Sequence, residues 1–411
     1  MSALNGQRHL NSGSFLILVI LLGAFGPIST DMFLPALPDM VTEFGTTAAI
    51  MNMVLYGFMF AMAIAIFLLG PITDKYGRRM PLILSLAEYT VTTLLCAFVH
   101  SVETLIFLRV LQAIGAGAAM TLSVAFVKDC YQGTVRLKVL NIVAIVGVLG
   151  PLLAPIIGSG IIAAWGWRST FIAPAAVSLI CLILSLLLDE TLPKEERITG
   201  GIRESMSGMK KLCRSPPFLI FAIMTCLFNM PFMAYLSVSS YIYEDMFGLG
   251  QTIYSVLLAA TLIIGTVAMI IINKLTKNTP SRRKVLLFPV IGAVSTISMF
   301  LIGDVGWYAF FVCFAICMFS TMTVRPWGLG ILMASHDGDS GAVSSLSNFV
   351  FFMIGCAGMI LSTLPWKDYV FGIAALIAMS TVIYIVLWAV FVKRGMDLKG
   401  FDLPSEAREK Q

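Results

Sequence analysis

The sequence predicts an all-α membrane protein of twelve transmembrane helices arranged as two six-helix halves. Three observations carry that reading. Of 411 residues, 58% are hydrophobic and only 12% charged, whereas a soluble domain carries about 25% charged residues. Apolar runs near the roughly 20 residues needed to cross a bilayer recur about twelve times. Finally, 23 of the 27 Lys and Arg fall in the two terminal segments and every second connection between those runs.

The runs of the first half cover residues 14–36, 47–70, 80–100, 103–127, 138–162 and 168–188. Those of the second cover 217–241, 251–273, 285–303, 306–333, 341–363 and 368–392. The longest connection lies in the middle. The expected organisation is a first half at 1–188, a cytoplasmic linker at 189–215, and a second half with a short cytoplasmic tail at 216–411. Six helices plus six is the pattern of an internal repeat. The outer loops hold only Arg168 and Lys367, while Arg109 and Arg325 fall within helices. The positive-inside rule then places both termini in the cytoplasm. The first run follows a short polar segment with Arg8 and His9 and lacks a clean small-residue cleavage site. It reads as a retained helix. In the linker, Ile202, Met206, Met209 and Leu212 recur at helical spacing opposite Arg203, Lys210 and Lys211. That pattern predicts a short amphipathic helix at the cytoplasmic membrane face.

Composition also excludes several functions. The net charge of +5 follows from the topological bias and points to no nucleic-acid partner. The eight cysteines are scattered without CxxC spacing, so they read as small buried hydrophobes, not disulfides or metal ligands. Cys313 and Cys317 share a helix face and read the same way. With three His, no nucleophile elbow and no Gly-rich phosphate loop, the chain has no enzyme signature. No metal or other cofactor is expected.

The stretch Ser29-Thr30-Asp31-Met32-Phe33-Leu34-Pro35-Ala36-Leu37-Pro38 ends the first run. Asp31 lies inside that run, after Pro27 has loosened the helix. A carboxylate in hydrocarbon costs about 2.5–3.5 kcal/mol on insertion scales and usually faces a protein interior or a watery cavity. Burial disfavours its charged form, which makes Asp31 a candidate proton-binding group. Position alone equally allows an interfacial residue or helix cap wetted from outside.

The first inner loop reads Gly70-Pro71-Ile72-Thr73-Asp74-Lys75-Tyr76-Gly77-Arg78-Arg79. Gly70 permits close backbone approach and Gly77 a tight turn. The loop resembles the signature of the major facilitator superfamily. Leu108-Arg109-Val110-Leu111-Gln112-Ala113-Ile114-Gly115-Ala116-Gly117 resembles that family's fourth-helix motif with its intramembrane Arg. Gly147-Val148-Leu149-Gly150-Pro151-Leu152-Leu153-Ala154-Pro155-Ile156-Ile157-Gly158 resembles the fifth-helix motif of its proton-driven antiporters. Pro151 and Pro155 should kink that helix. With the Ser29–Pro38 stretch, these motifs resemble the bicyclomycin and chloramphenicol resistance branch of the drug:proton antiporters. In the second half, Asn273-Lys274-Leu275-Thr276-Lys277 and Ser281-Arg282-Arg283-Lys284 resemble a degenerate copy of the loop signature without its Asp and glycines.

The resemblance implies a fold in which helices one, four, seven and ten line a central cavity. Asp31, Arg109 and Arg325 would face it. Proton coupling then falls to Asp31 and Arg109, and substrate binding to Asp31, Arg325, Asn229, Phe232 and Tyr235. The gating residues would be Gly70, Asp74, Gly77, Arg78, Gly150 and Pro151. Asp74 is expected against a helix N-terminus near Ser340-Gly341, where the helix dipole favours an anion. Arg109 has a second reading as a structural hydrogen-bond anchor. Glu88 reads as a packing partner or shallow snorkeller, with a proton-relay role as the alternative. Arg325 reads either as a structural charge opposite Asp31 or as the receiver of an anionic substrate group. The implied activity is export of small amphipathic molecules in exchange for protons. Proton-coupled export or symport of a specific anionic or zwitterionic metabolite is the alternative. The implied setting is a bacterial cytoplasmic membrane, with a monomer, a small-molecule substrate, protons and the bilayer as the only partners.

Overall fold

The computed structural model describes residues 10–197, 207–277, 279, 281–335, 340–398 and 401. Among these residues, twelve long helical elements follow one another. The first six are α1 (Ser12–Glu43), α2 (Ala48–Tyr76), α3 (Arg79–Cys96), α4 (Val102–Cys130), α5 (Gly133–Trp165) and α6 (Ser169–Leu186). The second six are α7 (Pro216–Met246), α8 (Gln251–Leu275), α9 (Ser281–Ile302), α10 (Trp307–Ser335), α11 (Gly341–Ser362) and α12 (Tyr369–Lys393). Ten of them are long and apolar enough to cross a membrane, and α5 makes eleven if its two bent pieces count as one span. The remaining element, α3, has 18 residues and includes Arg79 and Glu88, which dilute its apolar character. The sequence-based count of twelve spans thus stands at ten or eleven by length and apolarity.

Helix starts follow local chemistry. The side chains of Asn11, Thr47, Ser101 and Asp368 cap α1, α2, α4 and α12, each accepting a backbone N–H three residues on. Such caps satisfy donors that the first turn leaves unpaired. Gly77 turns the chain out of α2 at φ +94°, a conformation glycine adopts without strain. In α5 the axis bends by 42° between Gly147 and Leu149. Pro151 has no N–H to give to the carbonyl of Gly147, one turn earlier, which accounts for the bend.

The chain divides into two compact units, Met1–Met206 and Ser207–Gln411. In the first, α1 packs on α5, α2 on α4, and α3 on both α4 and α6. In the second, α7 packs on α11, α8 on α10, and α9 on both α10 and α12. One pairing scheme therefore builds both halves. Of the expected linker helix, Ile202, Arg203 and Met206 lie outside the described residues. Ser207–Cys213 is helical, with Met209 and Leu212 buried and Lys210 and Lys211 exposed. The outer faces of both units carry large exposed apolar side chains such as Leu84, Phe107, Ile270 and Leu301, as a lipid-contacting surface requires.

Candidate transport site

Two helices are broken at equivalent places. The first piece of α1 ends at Asp31, and a short 3-10 turn, Leu34–Ala36, follows with Pro35 inside it. The first piece of α7 ends at Cys226, and the second begins at Asn229 with Pro231 in its first turn. The break places a carboxyl group in the first half and a carboxamide in the second.

Asp31 is buried. Its Oδ1 lies 2.8 Å from the Thr30 hydroxyl, whose single proton it shares with the carbonyl of Gly26 at 2.9 Å. Arg109, in α4, lies within electrostatic range of Asp31 and is wholly buried. Its guanidinium is stacked against Phe58 and Phe33, with centroid distances of 4.1 and 4.8 Å. Cation–π contacts of this kind offset part of the cost of burying the charge. Nη1 donates to Gln112 Oε1 at 2.6 Å, and Gln112 Nε2 donates to Thr93 at 2.6 Å. Nη2 has no hydrogen-bond partner among the described residues. Beside this chain, the hydroxyls of Tyr89 and Ser29 lie 2.5 Å apart. The polar centre of the first half thus joins α1, α3 and α4.

The second half has a centre of different composition. Arg325 Nη2 donates to Asn348 Oδ1 at 2.7 Å, and its guanidinium lies 3.5 Å from the ring centroid of Phe351. Neither contact carries a negative charge. Asn229 donates to the carbonyl of the same Phe351 at 2.8 Å, while its Oδ1 has no partner among the described residues. Phe351 therefore ties α7, α10 and α11 together. Phe232 and Tyr235 are both buried. The Tyr235 ring is stacked on Phe314 of α10 at 3.9 Å, and its hydroxyl lies 3.5 Å from that of Thr261.

The loop signature forms a charge network within the first half. Arg78 Nη1 pairs with Asp74 at 2.6 Å, and Nε with Asp129 at 3.2 Å. The backbone N–H of Arg78 donates to Glu190 Oε1 at 2.8 Å, and Glu190 also pairs with Arg197 at 3.4 Å. Gly77 faces the Glu190 carboxylate so closely that a side chain would collide with it. Gly70 meets nothing within 4 Å of where a Cβ would stand. Gly150 receives the ring of Pro27 from α1, an added Cβ falling 2.8 Å from it. Pro151 follows inside α5.

Sequence reasoning singled out Asp31, Arg109, Arg325 and Asn229 but missed their immediate partners. Gln112 was legible, because it lies inside the quoted fourth-helix motif. Asp129 carried a weaker signal as an acidic residue at the end of a helix whose connection is otherwise basic, and Glu190 less still, in a linker of mixed charge. Asn348 and Phe351 carried none, being ordinary residues of an apolar run.

Buried polar groups at the breaks of two repeat-related helices, with no strand among the described residues, are the pattern of a secondary transporter. The chain belongs to the Major Facilitator Superfamily, whose model matches residues 19–359. It is 29% identical over 240 residues to the uncharacterized MFS-type transporter YdgK of Bacillus subtilis (strain 168), covering 58% of this chain and 60% of that protein. It is 27% identical over 246 residues to the multidrug resistance protein MdtL of Klebsiella pneumoniae (MGH 78578), covering 60% and 62%. The matched stretch thus spans about 60% of the length of these curated relatives. Among solved structures, the fold is similar to the xylose transporter XylE from E. coli, with TM-score 0.68 at 13% identity over 93% of this chain and 97% of that one. It is also similar to a bacterial homolog of the human lysosomal transporter Spinster, with TM-score 0.70 at 14% identity over 92% and 96%.

Proposed function

We propose that this Major Facilitator Superfamily transporter exports small amphipathic, drug-like molecules in exchange for protons by alternating access. The setting is a bacterial cytoplasmic membrane, with both termini inside and the monomer as the working unit. Asp31 carries this reading. It is a buried carboxyl group at a helix break, held by one hydroxyl and within electrostatic range of a buried Arg. Such a group binds a proton in one state and gives it up when a cation approaches or water enters. Proton and substrate then share Asp31, each disfavouring the other by a linkage of about 1–3 kcal/mol. Arg109 tunes that exchange, its open Nη2 offering a donor to the ionised carboxylate. Asn229, Phe232, Tyr235 and Arg325 contribute the substrate contacts of the second half. Gly70, Asp74, Gly77 and Arg78, with Gly150 and Pro151, act in gating.

The resemblance of the first 160 residues to drug:proton antiporters supports export, as does the similarity to a protein named for multidrug resistance. Drug accumulation in cells with and without the protein tests it. Export should collapse with a protonophore and with Asp31→Asn. A second reading, symport or export of a specific anionic or zwitterionic metabolite, is favoured by Arg325, whose contacts among the described residues are both neutral. Mass spectrometry of the medium from the same cells separates the two.

A further inference from the structure

Glu88 stands at the midpoint of α3 (Arg79–Cys96). One face of that helix, with Leu82, Leu86, Tyr89, Thr93 and Cys96, is buried against its neighbours. The opposite stripe runs Leu84, Glu88, Val91, Leu95, a spacing that keeps four residues on one side of a helix. Leu84 is 63% exposed, Val91 57% and Leu95 48%, so the stripe faces the bilayer. Glu88 is its single acid. The stem lies on the outer surface, and the carboxylate turns into a notch in α4 left by Gly115, where an added Cβ would fall 2.7 Å from Oε2. Both oxygens are covered by protein atoms, and neither makes a well-formed hydrogen bond among the described residues; the stem stays partly exposed, so a turn about the side-chain bonds opens the carboxyl to the bilayer. The nearby Thr92 hydroxyl donates instead to the backbone carbonyl of Glu88 at 2.8 Å.

The charged groups on the packed helices do not neutralise Glu88. On α4 these are Glu103, Arg109, Lys128 and Asp129. Arg109 is turned onto Phe58 and Phe33, and the other three lie in the first and last turns of that helix. On α6, Ser169–Leu186 contains no charged residue. On α2, Asp74 and Lys75 lie in the last turns. An ionised carboxylate at this depth would have hydrocarbon outside and no cation inside, an arrangement membranes penalise strongly.

We propose that Glu88 is a second proton-binding site of the first half, reached from the bilayer side and separate from Asp31. Its ligand is the proton, held as a neutral carboxylic acid in the Gly115 notch. Dicyclohexylcarbodiimide partitions into hydrocarbon and tests this directly. The acid proton passes to one carbodiimide nitrogen, the carboxyl oxygen bonds the central carbon, and the acyl group then migrates to nitrogen with nothing lost. In proteoliposomes at neutral and mildly alkaline pH, peptide mass spectrometry should find the adduct on Glu88. A water-soluble carbodiimide with glycine ethyl ester should label Asp74 and leave Glu88 unmodified. Labelling of Glu88 by the soluble reagent as fast as Asp74, or no adduct from the hydrophobic one, would overturn the proposal. Infrared spectra give a second readout. The stretching band of a protonated carboxyl should persist at neutral pH in Asp31→Asn and vanish when Glu88→Gln is added. A band unchanged by Glu88→Gln would equally overturn it.

Discussion

The carbonyl oxygen of Met32 faces Gly158 so closely that a Cβ at position 158 could not be accommodated. Met32 follows Asp31 in the break of α1. The N–H of Ala36 donates to Phe33 at 2.9 Å and Pro35 has none, so the Met32 carbonyl is turned out of the helical ladder. The Cα of Gly158 in α5 meets it, as in close Cα–H···O contacts. The second half repeats the arrangement, with Gly358 of α11 against the carbonyl of Met230, the residue after Asn229.

Gly158→Ala should therefore destabilise the protein by roughly 1–3 kcal/mol, the usual cost of overpacking a close contact, and should impair transport. Gly160→Ala is the control, because nothing lies within 4 Å of its added Cβ. Thermal unfolding in detergent reads both. Equal midpoints for the two variants would contradict the contact.

The loop network makes a prediction about gating. Asp74 is bound to Arg78, which also holds Asp129, so Asp74→Asn should loosen this end of the first half. If the loop biases a conformational equilibrium, a cysteine at Gly70 should react faster with a water-soluble alkylating reagent once Asp74 is neutralised. Position 70 is open to a side chain, and the native cysteines would first be replaced. An unchanged rate would reduce the loop to a topological signal.

Arg325 decides between substrate classes. Among the described residues its guanidinium contacts Asn348 and Phe351, both neutral, so it should repel a lipophilic cation and grip a carboxylate or phosphate in bidentate fashion. Neutral polar and acid-bearing compounds should be exported in preference to quaternary ammonium dyes. Arg325→Ala should lose the polar substrates, and Arg325→Lys should recover only part, because Lys lacks the planar fork. Strong efflux of an ethidium-like cation, unaffected by Arg325→Ala, would restore a purely structural role for this residue.

Apolar runs were enough to delimit most helices, because they are a local consequence of crossing hydrocarbon. They failed where function interrupts the pattern. The first run continues past its apolar end as a broken helix to Glu43, since the breakers around Pro35 reshape the chain without stopping it. Asp31, Arg109 and Arg325 stood out as charges in apolar surroundings. Their partners did not, because Asn348, Phe351 and Thr93 acquire meaning only through packing between helices distant in sequence. Arg78 shows the same limit. Its loop was legible, whereas its bonds to Asp129 and Glu190 join three separate helix ends.

The central claim is that Asp31 exchanges a proton for substrate. Purified protein in weakly buffered detergent solution, given an exported compound, reports it through the pH of the medium. The wild-type protein should release protons on binding, and Asp31→Asn should bind the compound with no release. Proton release that persists in Asp31→Asn, together with uphill efflux driven by a proton gradient, would contradict the claim and move coupling to another group.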